Sequence, residues 1–369
     1  MSNWLNNFSL FRNFVHQSQE SVLGVDIGTS SVKVVQVKND KGRAVLETYG
    51  VLSVGPYAER SVGQSADLSP EKIKTLIGDL FSEANVTSQV ASMSIAMRHS
   101  LLVTIELPQI ATKNLEQAVS IEARKYIPVP ISEVALDWWE IPEIGGGKGD
   151  GAGGGHSKVN IMLAAIHQNA LGQYEKIFKL TGLNYQFFEI ETFSILRSVL
   201  EQGYDSVVLV DLGASTTKVS IVDQGVIRTS HTINKGSQDI SVAVSKARGI
   251  SFAKAEEIKR KVGLIDEVEA EDSQKVISPI VEYIFSEVSK IVVDYQKKHS
   301  RAMEQVILTG GGSLLKGMYG IAKDNLEAPV VLGAPFNRLE APAFLDDVFK
   351  QIGPEFAVAI GLALRGLEN

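Results

Sequence analysis

Thirteen residues close to the start of the chain recur near its middle, and this repeat constrains the fold more than any other feature. Val25-Asp26-Ile27-Gly28-Thr29-Ser30-Ser31-Val32-Lys33-Val34-Val35-Gln36-Val37 lies beside Val210-Asp211-Leu212-Gly213-Ala214-Ser215-Thr216-Thr217-Lys218-Val219-Ser220-Ile221-Val222, and seven of the thirteen positions are identical. Those seven include the Asp pair, the Gly pair, Ser30/Ser215 and Lys33/Lys218. Each copy reads as a strand, an Asp-x-Gly turn followed by hydroxyls, and a second strand. The turn has a chemical use. Gly lets backbone approach a ligand closely, and successive amides with Ser or Thr hydroxyls present donors to a phosphate. An Asp at the end of the first strand can hold Mg²⁺ through water, because hard cations take oxygen ligands. One such hairpin is more often structural. Two copies predict two pseudo-equivalent domains gripping one polyphosphate from both sides.

Composition removes the competing chemistries. With 36 Lys+Arg against 43 Asp+Glu the net charge is −7, and no basic block exists to displace counterions from a nucleic acid. Zero Cys excludes disulfides, thiolate metal sites and a Cys nucleophile, and the six His lack metal-ligand spacing. No apolar run approaches the roughly 18–20 residues of a bilayer-spanning helix. The expectation is a cytosolic protein of several domains whose chemistry rests on Asp, Glu, Lys, Ser/Thr and Gly.

Along the chain, strands and helices alternate, as in α/β layering. Strands are predicted at Val22–Val25, Val32–Val37, Leu101–Leu107, Val207–Val210, Lys218–Val222 and Val306–Leu308. Ser69-Pro70 opens a helix through Phe81. Thr112 opens another, in which Leu115, Ala118, Val119, Ala123, Tyr126 and Ile127 share a face until Pro128 and Pro130 stop it. Eight of the eleven residues Gly145–Gly155 are Gly, which reads as a floppy hairpin loop between two strands. Trp4, Phe8, Phe11 and Val15 line one helical face, suited to docking on the parent domain, on a membrane surface or on a partner. A third chemical element is the strand Val306–Thr309 followed by Gly310-Gly311-Gly312-Ser313 and a helix from Leu314, a turn that lets a ligand lie against bare backbone.

The order of these three elements resembles the actin-like ATPase superfamily, which includes actin, Hsp70, sugar kinases and FtsA. The segment Ile121-Glu122-Ala123-Arg124-Lys125-Tyr126-Ile127-Pro128, followed by Leu136-Asp137-Trp138, is similar to the PilM family of type IV pilus assembly proteins. The resemblance implies an actin-like α/β fold: two pseudo-repeated domains around a nucleotide cleft, with a small inserted α+β subdomain. The expected divisions are an amphipathic segment 1–20, a first domain 21–91, an insert 92–185, a connecting helix 186–204, a second domain 205–354 and a C-terminal connecting helix 355–369.

It further implies ATP and Mg²⁺ as cofactors. Asp26 with Gly28, Thr29, Ser30 and Lys33 would form the first phosphate element, and Asp211, Gly213, Ser215 and Thr216 the second, with both aspartates on the metal. Gly310, Gly311 and Gly312 would contact adenosine, and Glu256 and Lys259, one turn apart, the ribose and adenine; a solvated ion pair is the plain alternative for those two. Glu189 stands where the pilus family often has Asp. Glu191, at a helix start, is the candidate water-positioning group, although helix stabilisation explains it equally well. ATPase activity would be slow at most. The implied partner is the cytoplasmic N-terminal peptide of a PilN-like bitopic membrane protein, which would hold this chain at the inner membrane. The segments Leu101–Leu107 and Leu115–Ile127, with Arg124 and Tyr126, would stand beside that peptide; the same helix could instead simply cover its own sheet. Self-association through the aromatic stripe is a further option. An FtsA-like division scaffold and an actin-fold sugar or metabolite kinase are the alternatives.

Overall fold

The structure, a computed structural model, describes residues 20–108, 114–142, 158–201, 203–264 and 271–368, with side chains from 274 in the last stretch. The aromatic stripe Trp4–Val15, the helix start at Thr112 and the glycine loop lie outside the described residues.

In chain order the elements are β1 (Ser21–Ile27), β2 (Ser31–Asp40), β3 (Arg43–Ser53), α1 (Pro70–Glu83), β4 (Val90–Ile95), β5 (Ser100–Pro108), α2 (Leu115–Ala123), β6 (Val134–Ile141) and β7 (Lys158–His167). Then come α3 (Gln168–Thr181), β8 (Asn184–Ile190), α4 (Glu191–Val199), β9 (Ser206–Leu212), β10 (Thr217–Asp223), β11 (Val226–Ile233), α5 (Ser237–Arg248) and α6 (Phe252–Val262). The chain closes with α7 (Glu271–His299), β12 (Gln305–Thr309), α8 (Met318–Asn325), β13 (Val330–Leu332), α9 (Asp346–Ile352) and α10 (Ala357–Glu368).

The repeat in sequence is a repeat in topology. One sheet runs β3-β2-β1-β4-β8 and the other β11-β10-β9-β12-β13. In each, three strands form an antiparallel meander and two more are added parallel to its first strand. The Val-rich central strands β1 and β9 are buried almost throughout, as expected of strands covered on both faces.

Between β4 and β8 the chain builds a third sheet, β5-β7-β6, entirely antiparallel. Its pairing of β6 with β7 confirms the predicted hairpin around the glycine loop. Because β4 and β8 belong to the first sheet, the expected insert boundaries at 92 and 185 fall inside those strands. Helix α2 lays Val119 and Ala123 on the third sheet against Ile105, Ile161 and Leu163. Tyr126, expected on that face, is instead 42% exposed, because the helix ends at Ala123 and the following turn re-aims it. The predicted helix from Leu314 is likewise corrected: Gly311–Leu314 is a single 3₁₀ turn, and α8 starts at Met318.

Helix α10 lies along the first sheet and crosses α4 there. A Cβ on Gly361 of α10 would fall 1.8 Å from the Ser194 carbonyl oxygen of α4, so only glycine permits this crossing. Beside it Glu189 receives Arg197 Nη1 at 2.7 Å, Arg365 Nη1 at 2.6 Å and Ser194 Oγ at 2.5 Å, all buried. Burial alone would raise the Glu189 carboxyl, but the two guanidiniums and the hydroxyl outweigh it and hold the pKa at about 2.

Candidate nucleotide cleft

Both Asp-x-Gly turns close in the same way. Gly28 N–H donates to Ser31 O at 3.0 Å, and Gly213 N–H donates to Thr216 O at 3.0 Å. The antiparallel register sets Asp26 opposite Lys33 and Asp211 opposite Lys218. The two turns approach one another, with Thr29 Oγ1 and Ser215 Oγ 3.3 Å apart. From the first domain Ser65 N–H also reaches Gln238 Oε1 of α5 at 3.0 Å.

Between the turns lies a cavity of about 520 Å³. Every residue assigned from the sequence lines it: Asp26, Gly28, Thr29, Ser30 and Lys33 on one wall, Asp211, Gly213, Ser215 and Thr216 on the other. Gly310 to Gly312, Glu256, Lys259 and Glu191 complete the lining. Gly310 is required by geometry, since its φ is +78° and a Cβ there would fall 2.4 Å from Asp211 Oδ1.

The charges are arranged unequally. Asp26 accepts from Ser94 Oγ at 2.9 Å, and Lys33 Nζ donates to Ser31 Oγ at 2.8 Å. Lys218 Nζ instead lies 3.0 Å from Asp211 Oδ2 and 3.0 Å from Glu191 Oε2. Glu191 Oε1 also accepts the Met97 amide at 2.6 Å. Burial would lower Lys218, but the two carboxylates outweigh it and push its pKa up. One ammonium shared by two carboxylates under-compensates them: burial raises the Glu191 pKa, and Lys218 only partly opposes it.

Glu256 and Lys259 are not a solvated pair. They are 5% and 6% exposed and 2.7 Å apart, and Ser241 Oγ at 2.5 Å and Arg260 Nε at 2.7 Å also donate to Glu256. Burial would raise the Glu256 carboxyl, but Lys259, Ser241 and Arg260 hold it below the usual carboxylate range. Burial likewise pushes the Lys259 ammonium down, against the pull of Glu256.

Glu189 and Glu191 part company here. Glu189 belongs to the α4–α10 crossing, and Glu191 faces the cavity. Lys218 was missed as a site residue, although the repeat had already paired it with Lys33. Its importance depends on Glu191, which no local motif joins to it. Arg124 and Tyr126 are exposed at the end of α2, whereas β5 turns toward the second domain, where Thr104 Oγ1 donates to Arg228 O at 2.8 Å. Helix α2 does cover its own sheet.

The donor set fits a nucleoside polyphosphate: two hydroxyl-rich turns, ammonium groups, carboxylates able to face a hydrated metal, and a glycine floor. The cavity falls in the usual range for small-ligand sites, about 300–1,000 Å³. Among the described residues no helix is long and apolar enough to cross a membrane.

Comparison with known proteins agrees in family and fold. The family model described as type IV pilus assembly protein PilM matches residues 24–367. The cell division protein FtsA of Pseudomonas aeruginosa is 24% identical over 394 aligned positions, covering 96% of this chain and 91% of that protein. A solved PilM-PilN type IV pilus biogenesis complex matches with TM-score 0.79 and 24% identity, over 96% of this chain and 100% of that one. MreB 5 of Spiroplasma citri, solved with AMPPNP, matches with TM-score 0.50 and 13% identity, over 94% and 95%. The fold is that of the actin-like ATPases, as the ordered motifs implied.

Proposed function

Because this chain belongs to the PilM family of type IV pilus assembly proteins, we propose that it is an ATP-holding assembly protein of the inner-membrane pilus platform. In this reading ATP with Mg²⁺ occupies the interdomain cleft. The bound nucleotide sets the domain arrangement in which the chain grips the cytoplasmic N-terminal peptide of a PilN-like bitopic membrane protein. The protein works in the cytoplasm, and the partner supplies its membrane attachment. The observation that carries the nucleotide reading is the convergence of all three sequence elements on one cavity.

Each residue then has a task. The amides and hydroxyls of Gly28–Ser30 and Gly213–Thr216 cradle phosphate oxygens, with Lys33 as a point charge among them. Asp26 would face the metal through water, with Asp211 across the cleft held by Lys218; the metal would supply neutralisation of phosphate charge. Gly310, Gly311 and Gly312 support the adenosine, and Glu256 with Lys259 meets ribose and adenine. Glu191, tied to Lys218 and the Met97 amide, is poorly placed to activate water, so turnover falls far below the roughly 1–100 s⁻¹ of kinases. The PilN-like partner is drawn from the solved PilM-PilN complex. Arg124 and Tyr126 offer polar contacts to its peptide.

Two measurements test the reading. Calorimetry with ATP and Mg²⁺ should show binding that EDTA weakens; no binding rejects the cofactor. Fluorescence polarisation should show the tail of a PilN-like protein binding to the full chain or to a chain starting at Glu20, more tightly with nucleotide. If neither binds, the partner assignment fails. The likeness to FtsA favours one second reading, a division scaffold of the same fold, which capture of the PilN-like tail would set aside.

A further inference from the structure

We propose that Lys218 is a resident counter-cation of the cleft. Its ammonium occupies the second phosphate element in place of a divalent metal ion, and it keeps Glu191 from acting on water. The proposal deepens the nucleotide reading and rests on it, but its first test uses metal alone.

The repeat supplies the contrast. Asp26 and Asp211 hold equivalent positions, each opposite a lysine across the hairpin. Among the described residues no cationic side chain pairs with Asp26, whose carboxylate takes Ser94 Oγ. Asp211 is paired with Lys218 at 3.0 Å, and Glu191 from α4 closes on the same ammonium at 3.0 Å. All three side chains are largely buried, with 16%, 11% and 8% exposure for Lys218, Asp211 and Glu191, and all three line the cavity.

Two carboxylates converging on one point from different elements make an oxygen-rich site of the kind a hard divalent cation favours. Here a lysine tethered by its own stem takes that point. A metal entering with the nucleotide is therefore left to the Asp26 side. Each Glu191 oxygen already accepts one hydrogen bond, from the ammonium or from the Met97 amide, so a water must compete with the ammonium for the remaining lone pairs. Nucleotide is held and at most slowly consumed.

Removing the ammonium should open a metal site. In nucleotide-free full-length protein, with Mn²⁺ alone counted by electron paramagnetic resonance, Lys218→Gln should bind Mn²⁺ roughly tenfold or more tightly than the unaltered chain. Adding Asp211→Asn or Glu191→Gln to that variant should abolish the gain, and Lys218→Arg, which keeps the charge, should show none. Circular dichroism establishes that each variant is folded.

Unchanged Mn²⁺ affinity in folded Lys218→Gln overturns the proposal. So does a gain that survives either Asp211→Asn or Glu191→Gln. With saturating ATP present, Lys218→Gln should also hydrolyse faster than the unaltered chain; an unchanged or lower rate overturns the claim on Glu191. If Mn²⁺ binding rises but no variant and no unaltered chain binds AMPPNP, the nucleotide reading fails and the counter-cation stands.

Discussion

In the first hairpin the cross-strand partners Asp26 and Lys33 each turn to a serine, Ser94 and Ser31, while in the second Lys218 closes on Asp211 and recruits Glu191. Backbone, register and turn closure are shared; charge pairing is not. The difference comes from outside the repeat. Glu191 starts α4, and of the two hairpin lysines its carboxylate closes on that of the second. A duplicated sequence thus fixes a duplicated scaffold, and a neighbouring element decides which copy becomes an ion cluster.

Truncating the two lysines should separate the hairpins most. Lys218→Ala leaves two buried carboxylates without their cation, a change that typically costs about 3–5 kcal/mol. Lys33→Ala removes one ammonium hydrogen bond to a hydroxyl, worth about 1.5–3 kcal/mol and partly offset by the desolvation that the buried ammonium no longer suffers. Urea denaturation measures both. Equal losses would mean that the two hairpins are energetically alike despite their geometry.

Two glutamates two residues apart sharpen the same point. At Glu191 one ammonium serves two carboxylates, and at Glu189 two guanidiniums serve one. The pKa directions follow the stoichiometry: raised at Glu191, lowered to about 2 at Glu189. A folded-state pKa below the unfolded value of about 4.3 gives stability that is present above that pH and lost as pH falls through about 2. Glu189 therefore contributes about 3 kcal/mol that drains away between these limits. Glu189→Gln should be least stable relative to the unaltered chain near neutrality, and the gap should narrow with acid. A gap constant from pH 6 to pH 2.5 would show that the ion cluster does not set this dependence.

Much of this was legible in the sequence. Asp-x-Gly hairpins announce themselves through local spacing, and their valines fit strands buried on both faces. The strands on either side of the glycine loop were equally clear. What sequence could not fix were contacts set by assembly. Lys218 and Glu191 lie 27 positions apart on different elements, and Glu256 is buried because Gly63 of the first domain packs over it, where a Cβ would fall 2.6 Å from its Cδ. Tyr126 left its expected face because helical periodicity holds only while the helix lasts. The turn after Gly310 looked like a helix start because a 3₁₀ turn shares that composition.

Nucleotide affinity should divide the two aspartates next. Asp26 acts on the metal through water in the proposed reading, and outer-shell groups of this kind typically carry 10–100-fold in metal-linked affinity, or about 1.4–2.7 kcal/mol. Asp26→Ala should therefore lose most of the Mg²⁺ dependence of ATP binding. Asp211→Ala should weaken binding yet retain that dependence, since its partner is the Lys218 ammonium. Calorimetry with Mg²⁺ and with EDTA distinguishes them. Identical behaviour of the two variants would erase the distinction between metal side and lysine side.

The smallest effect should come from the contact that joins the hairpins directly. Thr29 Oγ1 and Ser215 Oγ are 3.3 Å apart across the cleft, both partly exposed to water that can replace either partner. Neutral hydrogen bonds contribute about 0.5–1.5 kcal/mol net, and this long, partly hydrated one belongs at the low end. A double-mutant cycle of Thr29→Ala and Ser215→Ala should therefore give a coupling near 0.5 kcal/mol in the free protein. With nucleotide bound the coupling should rise, because both hydroxyls then address the same phosphates and each loses water as an alternative partner. The cycle is read from urea denaturation without ligand and from calorimetric affinity with it. A coupling above about 2 kcal/mol without nucleotide would contradict this. The protein itself, and not the ligand, would then hold the two hairpins together.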